Sequence, residues 1–388
     1  MKIVIVTPNL SSGGAERVSS TWANGFVKKH YQVTIATNLN NGIKFDVDKQ
    51  VKLISLFEED GGKIRKWYNA IRLLRRKLQD IRPDAIIAVM STCGIIAKLA
   101  SWGTNIPIVM TEHDAFERPD TWKLTKIEYF LKFYLNRIYN KVTILTSADK
   151  EFLKNRLKNT IVLPNPISIS PISNLHELQK DKIVLAAGRI DDWYVKGFDT
   201  LICAWHKLVV SSSKIKDSSW WLKIAGAGKK ESYEYLMNLL PDGEWIFNDD
   251  VNDDDNHKSW LWRSVKYHIE FLGFQKNMET LYKKSEIFVL SSRYEGFGLV
   301  LVEAMSQGCA CVVCDYKGRQ KEILESDKNG LICKTNNSED ISLCLSKFIC
   351  DTPLRLQTQK NAIERSKAFT EENIMDKWNT IFNQIVHH

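Results

Sequence analysis

Lys2-Ile-Val-Ile-Val-Thr7 runs through Pro8 into Asn9-Leu-Ser-Ser-Gly13-Gly14-Ala-Glu16-Arg17. A short β-branched apolar run before paired glycines reads as a buried strand feeding a helix. The helix is predicted over about residues 15–29, with a second strand over 32–37. That is a β-loop-α-β unit. Further strand-like runs at 85–90, 106–111 and 142–146 alternate with helical segments. A second series starts at 182–188 and continues through 220–225, 286–290 and 310–314. Such alternation argues for doubly wound parallel sheets. The predicted fold class is α/β, with two Rossmann-like domains facing a cleft at the carboxyl ends of their strands. The expected boundaries are 1–170 and 171–370, joined by a proline-rich linker over 163–179. A last helix from 371 is expected to pack back on the first domain, and His387-His388 reads as the remnant of a purification tag.

Size and composition agree with two cores: 388 residues, 44% apolar and 26% charged. No uninterrupted apolar stretch reaches the roughly 20 residues of a spanning helix, and residues 2–7 are too short a run for a signal peptide. A soluble or peripherally attached protein is expected. The eight cysteines are scattered. Their one cluster, Cys309-Ala-Cys311-Val-Val-Cys314, sits in a strand-like run without a nearby histidine, so buried thiols of a reducing cytoplasm are expected and no metal. The acidic stretch 249–256 lacks the glycine and closing glutamate of a calcium loop and reads as a solvated excursion. Charge is uneven: residues 1–170 carry 26 Lys and Arg against 15 Asp and Glu, a balance of +11, while 171–388 carry 28 against 31, a balance of −3. The first half is therefore expected to face something anionic, nucleic acid or the cytoplasmic leaflet of a membrane.

The strongest chemical signal is Glu295-Gly-Phe-Gly-Leu-Val-Leu-Val-Glu303. Its glycines permit a tight turn into a helix whose first amides would face an anion. Glycoside hydrolysis needs two carboxyl groups roughly 5–9.5 Å apart. A glutamate in the turn and another more than a turn into the helix are separated by ~12 Å along the backbone. The pair fits two ends of one longer ligand better, with an incidentally acidic surface helix as the alternative. Gly188-Arg189 and Lys196-Gly197 place two cations after the first strand of the second half, one able to fork onto a phosphate. Ala225-Gly226-Ala-Gly228 and Phe271-Leu-Gly273-Phe274 end later strands on the same edge. Gly13-Gly14 lacks the third glycine and ribose-binding acid of a dinucleotide fingerprint, which disfavours a dehydrogenase. Glu112-His113-Asp114 closes another strand, where a histidine is either structural or able to reach a cleft.

Together these pieces, with Asn165-Pro166 and Asn329-Gly330-Leu331, resemble the family 4 retaining glycosyltransferases of GT-B fold, nearly end to end. The resemblance implies that Arg189 and Lys196 hold the diphosphate of a nucleotide sugar and that Glu303 binds its ribose. It further implies that Glu295 touches the transferred sugar and that Phe274 lies by the base. Gly296, Phe297, Gly298 and Leu299 would turn past the diphosphate with Gly14, and His113 would approach the donor sugar. Glu295, His113, Arg189 and Lys196 are the implied catalytic set. The leaving diphosphate would be neutralised by cations and helix amides without metal or further cofactor. Retention would proceed by front-face departure and attack, with Glu295 as a covalent nucleophile the less favoured route.

Residues 63–78 place Ile64, Trp67, Tyr68, Ile71, Leu74 and Leu78 on one helical face and Arg65, Arg72 and Arg76 in a stripe beside it. This is either a core-facing helix with a solvated basic side, or an amphipathic helix at an anionic membrane whose arginines grip a diphosphate. The Gly-Gly-Ala-Glu-Arg opening, this helix, the Glu-His pair and Pro119-Asp-Thr-Trp122 resemble the bacterial polyprenyl-diphosphate-linked N-acetylgalactosamine transferases of glycan assembly. That resemblance implies a UDP-sugar donor carrying GalNAc, GlcNAc, Gal or Glc. The acceptor would be an undecaprenyl-diphosphate-linked glycan of O-antigen, capsule or glycoprotein, touched by Glu16, Arg17, Arg65, Arg72, Arg76 and His113. The enzyme would work peripherally on the inner leaflet of the cytoplasmic membrane. A GDP-sugar or a soluble acceptor is the nearer alternative. A basic nucleic-acid-binding protein is the distant one, since it leaves the glycine turns and acids unexplained.

Overall fold

The computed structural model describes every residue except 12, 57–61, 120–121, 213–214, 216–218, 249–260 and 387–388, with the backbone alone for Lys63 and Glu177. The acidic stretch 249–256, Asp120-Thr121 and the final histidines lie outside the described residues. The chain divides into two compact units, Met1–Ser168 with Phe369–His388, and Ile169–Ala368.

The first unit runs β1 (Lys2–Leu10), α1 (Gly14–Lys28), β2 (Gln32–Ile43), β3 (Lys52–Ser55), α2 (Lys63–Ile81), β4 (Ala85–Val89), α3 (Met90–Ala100), β5 (Ile108–Thr111), α4 (Lys126–Phe133), β6 (Lys141–Ile144), α5 (Ser147–Leu153) and β7 (Thr160–Val162). Its seven strands pair in the order β3-β2-β1-β4-β5-β6-β7, all parallel. The continuous apolar run Ile3–Val6 is fully buried, as a central parallel strand covered on both faces requires. Leu74 of α2, Ile96 of α3 and Phe133 of α4 share one core cluster with Val4, Val6 and Ile86. Helix α1 packs instead on the C-terminal helix (Glu371–Ile385): Trp22 meets Trp378 edge-on at 5.2 Å and Lys28 Nζ donates to Glu371 at 2.7 Å.

The second unit runs β8 (Asp181–Ala187), α6 (Trp193–Lys196), α7 (Phe198–Ser211), β9 (Trp221–Ala225), α8 (Lys230–Met237), β10 (Trp245–Asn248), β11 (Leu261–Ser264), β12 (Ile269–Gly273), α9 (Met278–Lys284), β13 (Ser285–Leu290), α10 (Leu299–Ser306), β14 (Ala310–Cys314), α11 (Arg319–Leu324), β15 (Leu331–Cys333), α12 (Ser338–Cys350) and α13 (Thr352–Ser366). Its strand order is β10-β11-β12-β9-β8-β13-β14-β15. The segment from β12 to β15 is parallel, but β10 and β11 add an antiparallel edge. That edge departs from the all-parallel expectation: Trp245–Asn248 and Leu261–Ser264 are four-residue strands, and β11 reaches β12 through the turn 265–268 without a helical crossover, so they carry no alternating βα signal. Of the clustered cysteines, Cys311 and Cys314 lie on the buried strand β14 and Cys309 is buried just before it, while Cys314 and Cys333, paired across β14 and β15, have their sulfurs 3.5 Å apart. Among the described residues no helix is long and apolar enough to cross a membrane.

Candidate functional site

Four loops of the second unit meet at the carboxyl edge of its sheet. The loop after β8 touches the loop after β9, where Gly188 N donates to Ala225 O at 3.0 Å and Ile190 N to Ala227 O at 2.8 Å. Gly226 N donates in turn to Gly273 O beyond β12, at 2.8 Å. The β8 loop also clasps the segment after β13: Ser291 Oγ donates to Lys196 O at 2.7 Å, and Arg293 N to Val195 O at 2.8 Å. Two glycines make this approach possible. A Cβ at Gly226 would fall on Gly188 O, and one at Gly197 on Ser291 O, so only a bare backbone fits. Gly197 in addition holds φ +65°, the left-handed region that ends α6 and starts α7.

This clasp brings Lys196 and Glu295 together. Lys196 Nζ donates to Glu295 Oε1 at 2.6 Å, and Ser292 Oγ donates to the same oxygen at 2.9 Å. Both side chains are mostly buried, so the pair holds its geometry. Arg189 is the contrasting cation: its side chain is 76% exposed, with Nε 3.7 Å from Asp192. A guanidinium so placed keeps most of its donors for an incoming anion. Gly296, Phe297 and Gly298 then turn the chain, with Gly298 at φ +92° as the N-cap of α10. Leu299 begins that helix, whose first-turn amides include Leu301 N bonded back to Gly298 O. Phe274 stands exposed after β12. Glu303 lies deeper than the sequence suggests: it is 1% exposed and accepts Tyr282 Oη at 3.3 Å. The two glutamates therefore occupy different environments, one at the loop clasp and one inside the unit.

In the first unit, Gly13 caps α1 at φ +99°, and the carboxylate of Glu16 folds over it so closely that a Cβ there would push that carboxylate aside. Burial raises the Glu16 carboxyl above the usual carboxylate range. Gly14 and Arg17 stand in the same first turn, with Arg17 N donating to Gly13 O at 3.2 Å. His113 follows β5, its Nε2 3.1 Å from Thr111 Oγ1 and its ring 5.5 Å from that of Trp22. Burial pushes its imidazole down to about 4, outweighing the nearby Asn165 side chain, which favours the charged form, so the ring is neutral at pH 7. Neighbouring Glu112 is a buried structural acid, accepting Asn136 at 2.9 Å with Lys132 at 3.5 Å. Arg65, Arg72 and Arg76 all lie exposed on α2. The apolar side of that helix divides: Leu74 and Leu78 enter the core while Ile64 and Tyr68 face solvent.

Comparison with known proteins fits this layout. Residues 172–365 match the family described as Glycosyl transferases group 1, and residues 12–171 match Glycosyltransferase Family 4. The chain belongs to the group 1 glycosyltransferases. It is similar to the GalNAc-alpha-(1->4)-GalNAc-alpha-(1->3)-diNAcBac-PP-undecaprenol alpha-1,4-N-acetyl-D-galactosaminyltransferase of Campylobacter jejuni, at 24% identity over 97% of each chain. It is also similar to the UDP-Gal:alpha-D-GlcNAc-diphosphoundecaprenol alpha-1,3-galactosyltransferase of Escherichia coli, at 23% identity over 78% of this chain and 75% of that one. Among solved structures, sucrose-phosphate synthase from Thermosynechococcus elongatus superposes with a TM-score of 0.77 at 15% identity, covering 99% of this chain and 98% of that one. The fold is GT-B, with two Rossmann-like units.

The glycosyltransferase contains a further residue at this edge that pattern reading overlooked. Arg293 forks both guanidinium nitrogens onto Asp199, at 2.7 and 2.9 Å, and donates to Tyr194 O, Thr200 Oγ1 and Asn336 Oδ1. Its guanidinium lies 4.3 Å over the Tyr194 ring. It ties the segment before Glu295 to the start of α7, and so fixes where Lys196 and Glu295 meet. The available signal was a polar Ser291-Ser292-Arg293 run directly after an apolar strand. Trp22 and Trp378 do similar work beneath His113, and nothing in the sequence pairs residues so far apart.

Proposed function

We propose that the enzyme moves a single hexose or N-acetylhexosamine, with retention, from a UDP-sugar to a polyprenyl-diphosphate-linked glycan of bacterial surface polysaccharide or glycoprotein assembly. The observation that carries this reading is the Lys196–Glu295 pair beside a nearly free Arg189, at a glycine turn that opens a helix. Arg189, Lys196 and the first amides of α10 supply positive potential where a leaving diphosphate accumulates charge, so chemistry here is leaving-group stabilisation. These groups do in protein what a divalent ion does elsewhere, which is the ground for proposing metal independence; activity that survives a chelator is the expected result. Glu295, held by Lys196 and Ser292, is assigned to the transferred sugar, with neither glutamate as general base. Glu303 is assigned to the ribose and Phe274 to the base, on the resemblance in their motifs. His113, neutral at pH 7, is assigned to the sugar as an uncharged hydrogen-bonding group.

The acceptor half rests on α2. Its residues 63–79 hold seven Lys or Arg and no acid, with Arg65, Arg72 and Arg76 exposed, a surface suited to a lipid-linked diphosphate at an anionic inner leaflet. The two relatives named for undecaprenol-linked acceptors point the same way, and the UDP-Gal of the second supports uridine over guanosine in the donor. A panel of UDP- and GDP-sugars offered with an undecaprenyl-diphosphate-linked acceptor, read by mass spectrometry, tests the proposal. Arg189→Ala is expected to lose about 1.5–3 kcal/mol of leaving-group stabilisation, roughly a ten- to hundredfold fall in kcat. Undiminished turnover in that variant, or transfer only to soluble sugars, refutes the reading.

A further inference from the structure

Helix α4 and the 3-10 turn Leu135–Ile138 carry an apolar stripe that nothing among the described residues covers. Ile127, Phe130, Tyr134 and Ile138 follow at spacings of three and four, one side of a helix, and are 72%, 55%, 50% and 43% exposed. On the opposite side Lys132 and Phe133 are buried in the unit. Single exposed apolar residues are common on soluble proteins, but a contiguous aromatic stripe marks a contact surface. The rings of Phe130 and Tyr134 stack at 5.9 Å, so the stripe presents one continuous apolar ridge.

Its border is cationic. Lys126 lies exposed at the start of the helix, and the Arg137 guanidinium sits 5.0 Å over the Tyr134 ring. Glu128, the one carboxylate of α4, is turned away into a capping box with Thr125, accepting its backbone N–H at 2.8 Å. An apolar ridge with a tyrosine at its margin, rimmed by Lys and Arg, is the chemistry of a segment that enters a headgroup layer. A ridge also suits a deformable bilayer better than a protein partner, which would need a matching groove. Helix α2 lies on the same side of the sheet, since Leu74 and Phe133 share one core cluster, and adds exposed arginines for anionic headgroups.

We propose that the Ile127–Phe130–Tyr134 stripe is the insertion surface by which the enzyme enters the interface of an anionic bilayer, while α2 supplies the electrostatic attraction. The inference rests on the reading of a lipid-linked acceptor, and names the surface that reaches it. Both target side chains are exposed, so their replacement leaves the core intact. The test is co-sedimentation of the full chain and of Ile127→Ser/Phe130→Ser with phosphatidylcholine vesicles, with and without phosphatidylglycerol. The double variant is expected to partition about tenfold or more weakly onto the anionic vesicles. Its transfer to a water-soluble, short-chain diphosphate-linked acceptor should stay unchanged. Unchanged partition overturns the proposal. So does unchanged partition accompanied by a dimer that the double variant dissolves, since the stripe then belongs to a second copy. Failure of the parent enzyme on every diphosphate-linked acceptor sinks the functional reading instead, while partition still decides the stripe.

Discussion

Replacing Gly197 by alanine separates the two reasons for a glycine at the heart of the clasp. The first is conformational: φ +65° costs an L-residue about 1 kcal/mol. The second is spatial, because the new Cβ would lie on the backbone oxygen of Ser291, which cannot rotate away. The β8 loop must then lift by about an ångström, stretching three bonds: Ser291 Oγ to Lys196 O, Arg293 N to Val195 O, and Lys196 Nζ to Glu295. At about 1 kcal/mol for each bond weakened, the total reaches about 2–4 kcal/mol. Gly318→Ala is the matched control in the same unit, since Gly318 holds φ +86° with nothing within 4 Å of its would-be Cβ and isolates the conformational cost. Urea titration of both variants reads the difference in the transition of the second unit. Initial rates read the second consequence, a loss of turnover in Gly197→Ala alone, because only that change displaces Lys196. Equal destabilisation of the two variants, or full activity in Gly197→Ala, would refute the argument that close approach positions the Lys196–Glu295 pair.

Three other outcomes follow from the same geometry. Folded His113 releases its proton down to about 4 while the unfolded side chain titrates near 6.5, so both forms are neutral above that range. Acidification from 6.5 toward 4 therefore charges only the unfolded chain, and the first unit should lose up to about 3 kcal/mol, a pH slope that His113→Gln abolishes in denaturant titrations. Arg293→Ala leaves Asp199 without its fork and should destabilise the second unit by about 2–4 kcal/mol. Arg293→Lys should recover less than half of that because an ammonium cannot bridge both oxygens, and full recovery in thermal unfolding contradicts the bidentate account. Trp378→Ala empties a fully buried site against Trp22, with an expected cost of about 3–5 kcal/mol and release of the C-terminal helix to limited proteolysis.

Much of the architecture is legible along the chain because parallel strands buried on both faces must be continuous apolar runs, as Ile3–Val6 and Ala310–Cys314 are. Glycines at 13, 197 and 298 announce their turns for the same reason: the backbone there takes positive φ, which other residues resist. The antiparallel edge β10–β11 escapes such reading because its four-residue strands are too short to show a period. Spacing along a helix likewise sets how far Glu303 stands from Glu295, but it says nothing of the surroundings of either carboxylate.

Surroundings are where tertiary structure decides. Lys196 reaches Glu295 across 99 positions, and Arg293 reaches Asp199 across 94, contacts that exist only because β8 and β13 are neighbours in the sheet. Burial of Glu303 beside Tyr282, and of Trp22 against Trp378, depends likewise on which helices cover which strands. The stripe on α4 is the converse case. Its residues are as apolar as any core face, and only the packing of α4 through Phe133 leaves Ile127 and Phe130 outside. The sequence thus determined strands, turns and the chemical types at the sheet edge, because those are set by backbone sterics and hydrophobic period. Which of those groups touch, which are neutral and which face water was decided by the path of the chain, because pairing and desolvation are properties of neighbours in space.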